Sequence, residues 1–232
     1  MFDNIKEKVY EPNIQLYKQG LVPLTWGNVS ARVEDYIIIK PSGVEYEKMS
    51  PQDMVVLDLA GKVIDGKLKP SSDTKTHLEI YHSCSQIYSV CHTHSKYATS
   101  YAQAGIPIKA MGTTHADYFF GDIPCTRALT YDEVESDYEL NTGKVIAETF
   151  KDKDWLQIPA VLVKQHGPFT WGGSADKGGL DAVENAVVLE EIAQINYQTM
   201  LINPAAVLLP DYVLNKHYYR KHGAGAYYGQ KK

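Results

Sequence analysis

The sequence predicts an α/β protein in which a mixed, largely antiparallel β-sheet is covered by helices, all in one domain over residues 1–232. Three observations lead there. The chain has 232 residues, 44% of them apolar and 22% charged, with no repeat, low-complexity tract or linker, which suits one sizeable core. Strand-like runs come early and in hairpin-like groups. Helical patterns are interspersed later, which disfavours a regular βαβ repeat.

In chain order, residues 3–19 show a helical pattern with Gly20 as a stop, and Pro12 should kink that helix or delay its start. Short β-rich runs follow at 29–33, 36–40 and 54–59, separated by turn signals at Lys40-Pro41-Ser42-Gly43 and Ala60-Gly61-Lys62. Ser71-Ser72-Asp73 supplies natural N-caps for a helix running to about Cys84. Residues 87–92 read as a strand, 95–104 as a helix, 132–150 as a helix and 159–164 as a short buried β-run. A long helix over 179–200 places Val183, Ala186, Leu189 and Ala193 at helical spacing. A last helix over 210–222 ends at Gly223, before a tail at 224–232.

The formal charge of −5 argues against a nucleic-acid surface, although small anions are held by local loops rather than by net charge. Cys84, Cys91 and Cys125 lack CxxC spacing, which suits a reducing compartment and no thiolate zinc site. The first residues, MFDNIKEKVY, lack the apolar stretch of a signal peptide, and no run approaches membrane-spanning length. A cytoplasmic protein is expected.

His92-Thr93-His94 ends a β-rich run, and residues two apart in a strand share a face, so both imidazoles can reach one ion. His166 ends a second such run, just before Gly167-Pro168. Three imidazoles with an open position are a zinc arrangement, and a carboxylate such as Asp73 can complete the shell. The same residues also fit hydrogen-bonded core histidines, and spacing alone leaves both readings open.

Gly27-Asn28-Val29-Ser30, Lys40-Pro41-Ser42-Gly43 and Lys69-Pro70-Ser71-Ser72 share small donors and backbone N–H groups that suit an anion, and the last opens a helix. Singly, each is equally a plain turn or cap. The polar stretch from Gly112 to Tyr118 looks too irregular for a helix face. It offers Asp117 as a general base, Thr113 as an orienting hydroxyl, and His115 as participant or structural hydrogen-bonder. Most tails are frayed and polar, whereas the paired tyrosines Tyr227-Tyr228 suggest that this one docks, and a docked phenol is a proton donor as well as a packing group.

The ordered set LTWGNVSAR, KPSGV, KPSSDT, HTHS, GTTHADYF, GDIPCTR, QHGPFTWG and KHYYRKHGAGAYYGQ closely resembles the class II aldolase and epimerase family of zinc-dependent proteins. The match runs from about residue 20 to 230, and GTTHADYF and the AYYGQ tail point to its epimerase branch. The resemblance implies a three-layer α/β/α fold and a homotetramer with active sites at subunit interfaces. It implies Asp73, His92, His94 and His166 as ligands of one Zn²⁺ per subunit, a site that other divalent metals also suit. It implies Asn28, Lys40, Ser42, Gly43, Ser71 and Ser72 around the substrate phosphate, with Thr113, Glu139 and His217 as supporting groups. Asp117 would be one acid/base, and Tyr228, reaching in from a neighbouring subunit with the tail, the other.

The implied reaction is zinc-dependent conversion of L-ribulose 5-phosphate to D-xylulose 5-phosphate at C4, by retro-aldol cleavage and re-addition, in sugar catabolism such as that of arabinose. The alternative is an aldolase that cleaves a ketose phosphate to dihydroxyacetone phosphate and an aldehyde. That branch commonly has glutamate at the position of Asp73. Two departures from the family pattern are Pro12 inside the first helix and a slightly extended segment at 172–179.

Overall fold

The computed structural model describes residues 2–222 and 224–229. Its helices are α1 (Asp3–Lys18), α2 (Thr74–Ser83), α3 (Lys96–Ala104), α4 (Thr113–Ala116), α5 (Tyr131–Thr149), α6 (Leu180–Ile202) and α7 (Asp211–His222). Its strands are β1 (Asn28–Val33), β2 (Tyr36–Ile39), β3 (Val55–Asp58), β4 (Val63–Asp65), β5 (Ser89–His92), β6 (Ala160–Val163) and β7 (Gly167–Gly172). The expected stop at Gly223 and the end of the tail at 230–232 lie outside the described residues.

The strands form one sheet in the order β4-β3-β2-β1-β5-β7-β6, antiparallel at every pairing. Its parallel contact is the isolated bridge between Cys125 and Leu162. Ile37 and Ile39 face one helical layer while Ile38 faces the other, and Val55 and Leu57 alternate with Val56 in the same way. On one face Val29, Ala31 and Cys91 meet Val9 and Leu16 of α1 and Ala182 and Ala186 of α6. On the other, Val90, Val161, Phe169 and Trp171 meet Leu78 and Tyr81 of α2, Ile146 of α5 and Phe150 at its end. Farther along, α3 and the second half of α6 cover Ala160 and Leu162. Burying each such large side chain favours folding by about 1.5–3 kcal/mol. The result is the three-layer α/β/α arrangement. No described helix is long and apolar enough to cross a membrane.

Three elements go beyond the expected set. β4 is a short, exposed edge strand whose pattern carries no amphipathic signal. β7 is buried along its whole length, so it shows no alternation, and it opens on Gly167-Pro168, which reads as a breaker. α4 is one helical turn inside the stretch that looked too irregular for a helix.

Proline does not delay α1, which continues through Pro12. Pro12 has no N–H for the Lys8 carbonyl four residues earlier. The two departures in the sequence prove to be neighbours here. Gly178 and Gly179, both at positive φ (60° and 116°), lie against this part of α1. A Cβ on Gly178 would stand 2.8 Å from the Lys8 carbonyl oxygen, and one on Gly179 would stand 2.9 Å from Val29 Cγ1 and 3.4 Å from Pro12 Cβ.

α5 is broken at Asp137 (φ −160°, ψ 87°), where the Lys75 ammonium bonds the carboxylate at 2.6 Å. The break turns Tyr138 and Glu139 towards the end of the sheet where β1, β5 and β7 meet.

Candidate metal centre and its cleft

At that end lies a cleft of about 520 Å³. Asn28, Lys40, Ser42, Gly43, Ser71, Ser72, Asp73, His92, His94, Glu139 and His166 all line it, and Trp26 and Tyr138 join them.

Three imidazoles form its floor. The potential ligand atoms of His92, His94 and His166 all lie within 4.8 Å of one another. His92 ends β5, and its ring stacks on Phe169 of β7 at 4.1 Å and 16°. Its Nδ1–H donates to the Pro168 carbonyl at 2.9 Å, so Nε2 keeps its lone pair. That Nε2 stands 3.0 Å from Nε2 of His94. His166 sits in the β6–β7 turn, after Gln165, which has a φ of 62°. Such backbone strain gathers at functional sites.

Burial, then the neighbouring His92 and His94, push the His166 imidazole down to about 3. Burial, followed by His92, also lowers His94. Three crowded imidazoles, two of them held below the ordinary histidine pKa, are a donor set made for a cation.

Asp73 stands in the same cleft but outside the three-histidine group. Its Oδ2 accepts from Asn28 Nδ2 at 2.7 Å. Burial works to raise its pKa, but the nearby His92 and His77 and the Asn28 bond outweigh burial and hold it below its ordinary value. The register explains the grip. Asn28 and Ser30, two apart on one face of β1, meet Asp73, the N-cap of α2, and His77 one turn into that helix. Ser30 Oγ lies 2.7 Å from His77 Nδ1 and 2.8 Å from the Tyr81 hydroxyl. His77 is completely buried, and burial lowers it to about 3.

The two Lys-Pro-Ser loops form the opposite wall and pair with each other. Pro41 and Pro70 form an antiparallel bridge, Ser42 N–H donates to the Lys69 carbonyl, and Ser71 N–H donates to the Lys40 carbonyl, both at 3.0 Å. Their serines therefore converge beside the N-terminus of α2, whose dipole favours an anion. Lys40 is 1% exposed, and burial lowers its ammonium to about 8. Its Nζ donates to the Thr25 carbonyl at 3.2 Å and sits 4.7 Å from the Tyr46 ring.

Thr113, Asp117, His217 and Tyr228 are not in this cleft. Asp117 closes α4 and is gripped by α7. Its Oδ1 accepts from Arg220 Nε at 2.9 Å and lies 3.1 Å from His217 Nδ1, while its Oδ2 accepts from Arg220 Nη2 at 2.6 Å. Burial works to raise its pKa, but the Arg220 and His217 bonds prevail and lower it. Tyr228 lies with its ring 4.7 Å from the Arg220 guanidinium. Within one chain Arg220 therefore touches both Asp117 and Tyr228. Thr113 is exposed at the start of α4. His115 is a structural hydrogen-bonder, buried, with Nε2–H donating to the Gly121 carbonyl at 2.7 Å.

Sequence reasoning missed Trp26, Tyr138 and Arg220. Tyr138, whose hydroxyl lies 3.3 Å from His166 Nδ1, reaches the cleft through a helix break that no periodicity announces. Arg220 was within reach, since it follows His217 by three residues and shares its helix face.

Residues 7–197 match the family described as the class II aldolase and adducin N-terminal domain. The chain is 55% identical over 229 residues to L-ribulose-5-phosphate 4-epimerase UlaF of Salmonella paratyphi B, covering 98% of this chain and 99% of that protein. It is equally 55% identical, over the same shares, to the protein of that name from Salmonella paratyphi C. Among solved structures, an L-fuculose 1-phosphate aldolase superposes with a TM-score of 0.75 over 94% of this chain and 95% of that one. Its identity is 24%, so that likeness is one of fold.

Proposed function

The chain belongs to the class II aldolase and adducin N-terminal domain family, and from that premise we propose that it converts L-ribulose 5-phosphate to D-xylulose 5-phosphate, with zinc as its metal. The observation that carries this proposal is the shared cleft. It gathers three imidazoles, paired serine loops and a buried lysine in one cleft, so one ligand can meet a metal at one end and place a phosphate at the other.

His92, His94 and His166 would hold the zinc, and Asp73 would complete its shell. The lone pair left on His92 Nε2, facing His94 Nε2 at 3.0 Å, fits a cation between them. When bound, zinc supplies Lewis-acid stabilisation of the charge that develops on the substrate's C2 oxygen.

The proton on C4 of a 2-ketopentose is not acidic, so inversion there requires the C3–C4 bond to break and re-form. One acid/base removes the C4 hydroxyl proton as that bond breaks, giving the enediolate of dihydroxyacetone and glycolaldehyde phosphate. The loops built from Asn28, Lys40, Ser42, Gly43, Ser71 and Ser72 hold the phosphate while the aldehyde turns about its C4–C5 bond. This anchoring keeps the re-addition intramolecular. A second acid/base on the opposite side then returns a proton to the new C4 oxygen. Asp117 and Tyr228 would be this pair, each worth about 10²–10⁴-fold. Thr113, Glu139 and His217 would orient the substrate.

Since Asp117 and Tyr228 stand together and outside their own chain's cleft, a neighbouring subunit would deliver both, in a homotetramer whose tails dock at its interfaces. Free Cys84, Cys91 and Cys125 accord with a cytoplasmic setting.

The test is a coupled assay of D-xylulose 5-phosphate formation before chelation, after it, and after zinc is restored. Turnover that disappears and returns with zinc is expected. Stoichiometric release of glycolaldehyde phosphate would favour an aldolase. No turnover with zinc present, combined with unfolding on chelation, would favour a structural metal.

A further inference from the structure

Arg220 touches both groups of the proposed acid/base pair by three separate means. Its guanidinium grips the Asp117 carboxylate with two hydrogen bonds, at 2.9 and 2.6 Å. The same guanidinium lies 4.7 Å from the Tyr228 ring. Its main-chain carbonyl accepts from the N–H groups of Tyr227 at 2.9 Å and Tyr228 at 3.1 Å. The last contact ties the tail back onto α7 beyond the helix end. The Asp117 side chain is only 12% exposed and that of Arg220 23%, so the fork is sheltered on both sides.

The other groups around it do not duplicate this role. His217 reaches the same Oδ1 at 3.1 Å, through one ring nitrogen rather than a fork. Lys221 lies 4.8 Å from the Tyr228 ring and 4.0 Å from that of Tyr118 without bonding Asp117. His222 bonds the main-chain oxygen of Asp117 at 2.8 Å and leaves its carboxylate alone.

We propose that Arg220 is a positioning residue that sets Asp117 and Tyr228 as one rigid unit, fixing the distance and angle between the two proton-transfer groups. The proposal rests on the acid/base roles given to those two residues above. The planar guanidinium suits this task, because its fork fixes a carboxylate in two directions while its face remains free for an aromatic ring. Lysine offers the charge without the fork. Placement matters because misplacement of a reacting group by about 1 Å costs on the order of 10²-fold in rate.

The test uses the full-length zinc-loaded enzyme with Arg220→Ala, Arg220→Lys, Asp117→Asn, Tyr228→Phe and the Asp117→Asn/Arg220→Ala pair. Arg220→Ala should lower kcat by about 10²-fold with KM nearly unchanged, and Arg220→Lys by about tenfold. In the Asp117→Asn background the same alanine substitution should cost less than about fivefold, because the principal group it positions is already disabled. Added guanidinium ion should recover part of the kcat of Arg220→Ala, a rescue that general destabilisation does not allow. If the alanine variant does not fold, the lysine variant alone decides. Impaired Asp117→Asn and Tyr228→Phe with a fully active Arg220→Lys would overturn the positioning role while leaving the acid/base roles intact. An equal cost of Arg220→Ala with and without Asp117 would also overturn it. Full activity of both Asp117→Asn and Tyr228→Phe would overturn the acid/base assignment and the positioning role with it.

Discussion

Gly167 lies so close to Thr93 that a methyl group on its α-carbon would stand 2.7 Å from the Thr93 carbonyl oxygen and 3.2 Å from the ring of His94. Glycine is what lets the turn carrying His166 approach the strand end carrying His92 and His94. Gly167→Ala should push that turn outward and spread the three imidazoles. Metal affinity should fall about 10–100-fold, as when a supporting contact of a ligand is lost. A competition titration of the metal-free protein against a chromogenic chelator measures this directly. Wild-type affinity in the alanine variant would mean that the turn is not what sets the spacing.

The placement of Asp117 and Tyr228 on one chain predicts which inactive subunits rescue one another. If a neighbour supplies both groups to each cleft, mixing Asp117→Asn with Tyr228→Phe subunits restores nothing, because every delivered pair carries one defect. Mixing Asp117→Asn with His92→Asn subunits should restore about a quarter of the sites, those in which an intact cleft meets an intact pair across a ring interface. Activity after co-refolding equimolar subunits checks both cases. Recovery in the first mixture would show that Asp117 and Tyr228 reach the cleft from different subunits.

The histidines were legible in sequence because a strand end fixes the direction of its side chains, so His92 and His94 had to be neighbours once residues 87–92 were read as β. The two Lys-Pro-Ser loops were legible as a chemical style, but not as a pair: the bridge between Pro41 and Pro70 joins segments almost thirty residues apart. β7 escaped because burial on both faces erases alternation, and because Gly167-Pro168 looks like a turn. Its proline is tolerated as the second residue of the strand, where its carbonyl accepts from His92. The break in α5 escaped for a different reason. Asp137 leaves the helix to meet Lys75, a tertiary contact with no local signature. The join between Asp117 and Tyr228 depends on Arg220 in the same way.

His77 predicts a pH dependence of folding. Its folded-state pKa, about 3, lies below the ordinary histidine value of 6.5. Between these two values the unfolded chain binds a proton that the folded chain refuses, so stability falls as pH falls. The slope from this one residue is about 1.4 kcal/mol per pH unit within that window and vanishes above it. His166 and His94 add slopes of the same sign in the metal-free protein, so the test is a difference. Urea unfolding at pH 7, 6 and 5 should show a shallower loss for metal-free His77→Gln than for the wild type, by about one proton. Equal slopes would mean that His77 is protonated in the folded state as well.

The fit between α1 and the 172–179 segment gives a prediction about stability away from the cleft. Pro12 and Gly179 each look unfavourable alone: one breaks a helix ladder and the other lengthens a loop. Together they let the segment lie against α1 while Gly179 also meets Val29 of β1. Gly179→Ala should destabilise the protein by about 1–3 kcal/mol, through its left-handed backbone and the methyl that would stand 2.9 Å from Val29 Cγ1. Pro12→Ala restores the N–H and removes Cγ, one of the two Pro12 carbons that face Gly179, while keeping Cβ. Losing Cγ should recover a small part of that loss in the double variant. A double-mutant cycle by urea denaturation, with the slope of unfolding unchanged, measures the coupling. Strict additivity of the two substitutions would show that the contact is incidental, and that α1 tolerates Pro12 for reasons confined to the helix itself.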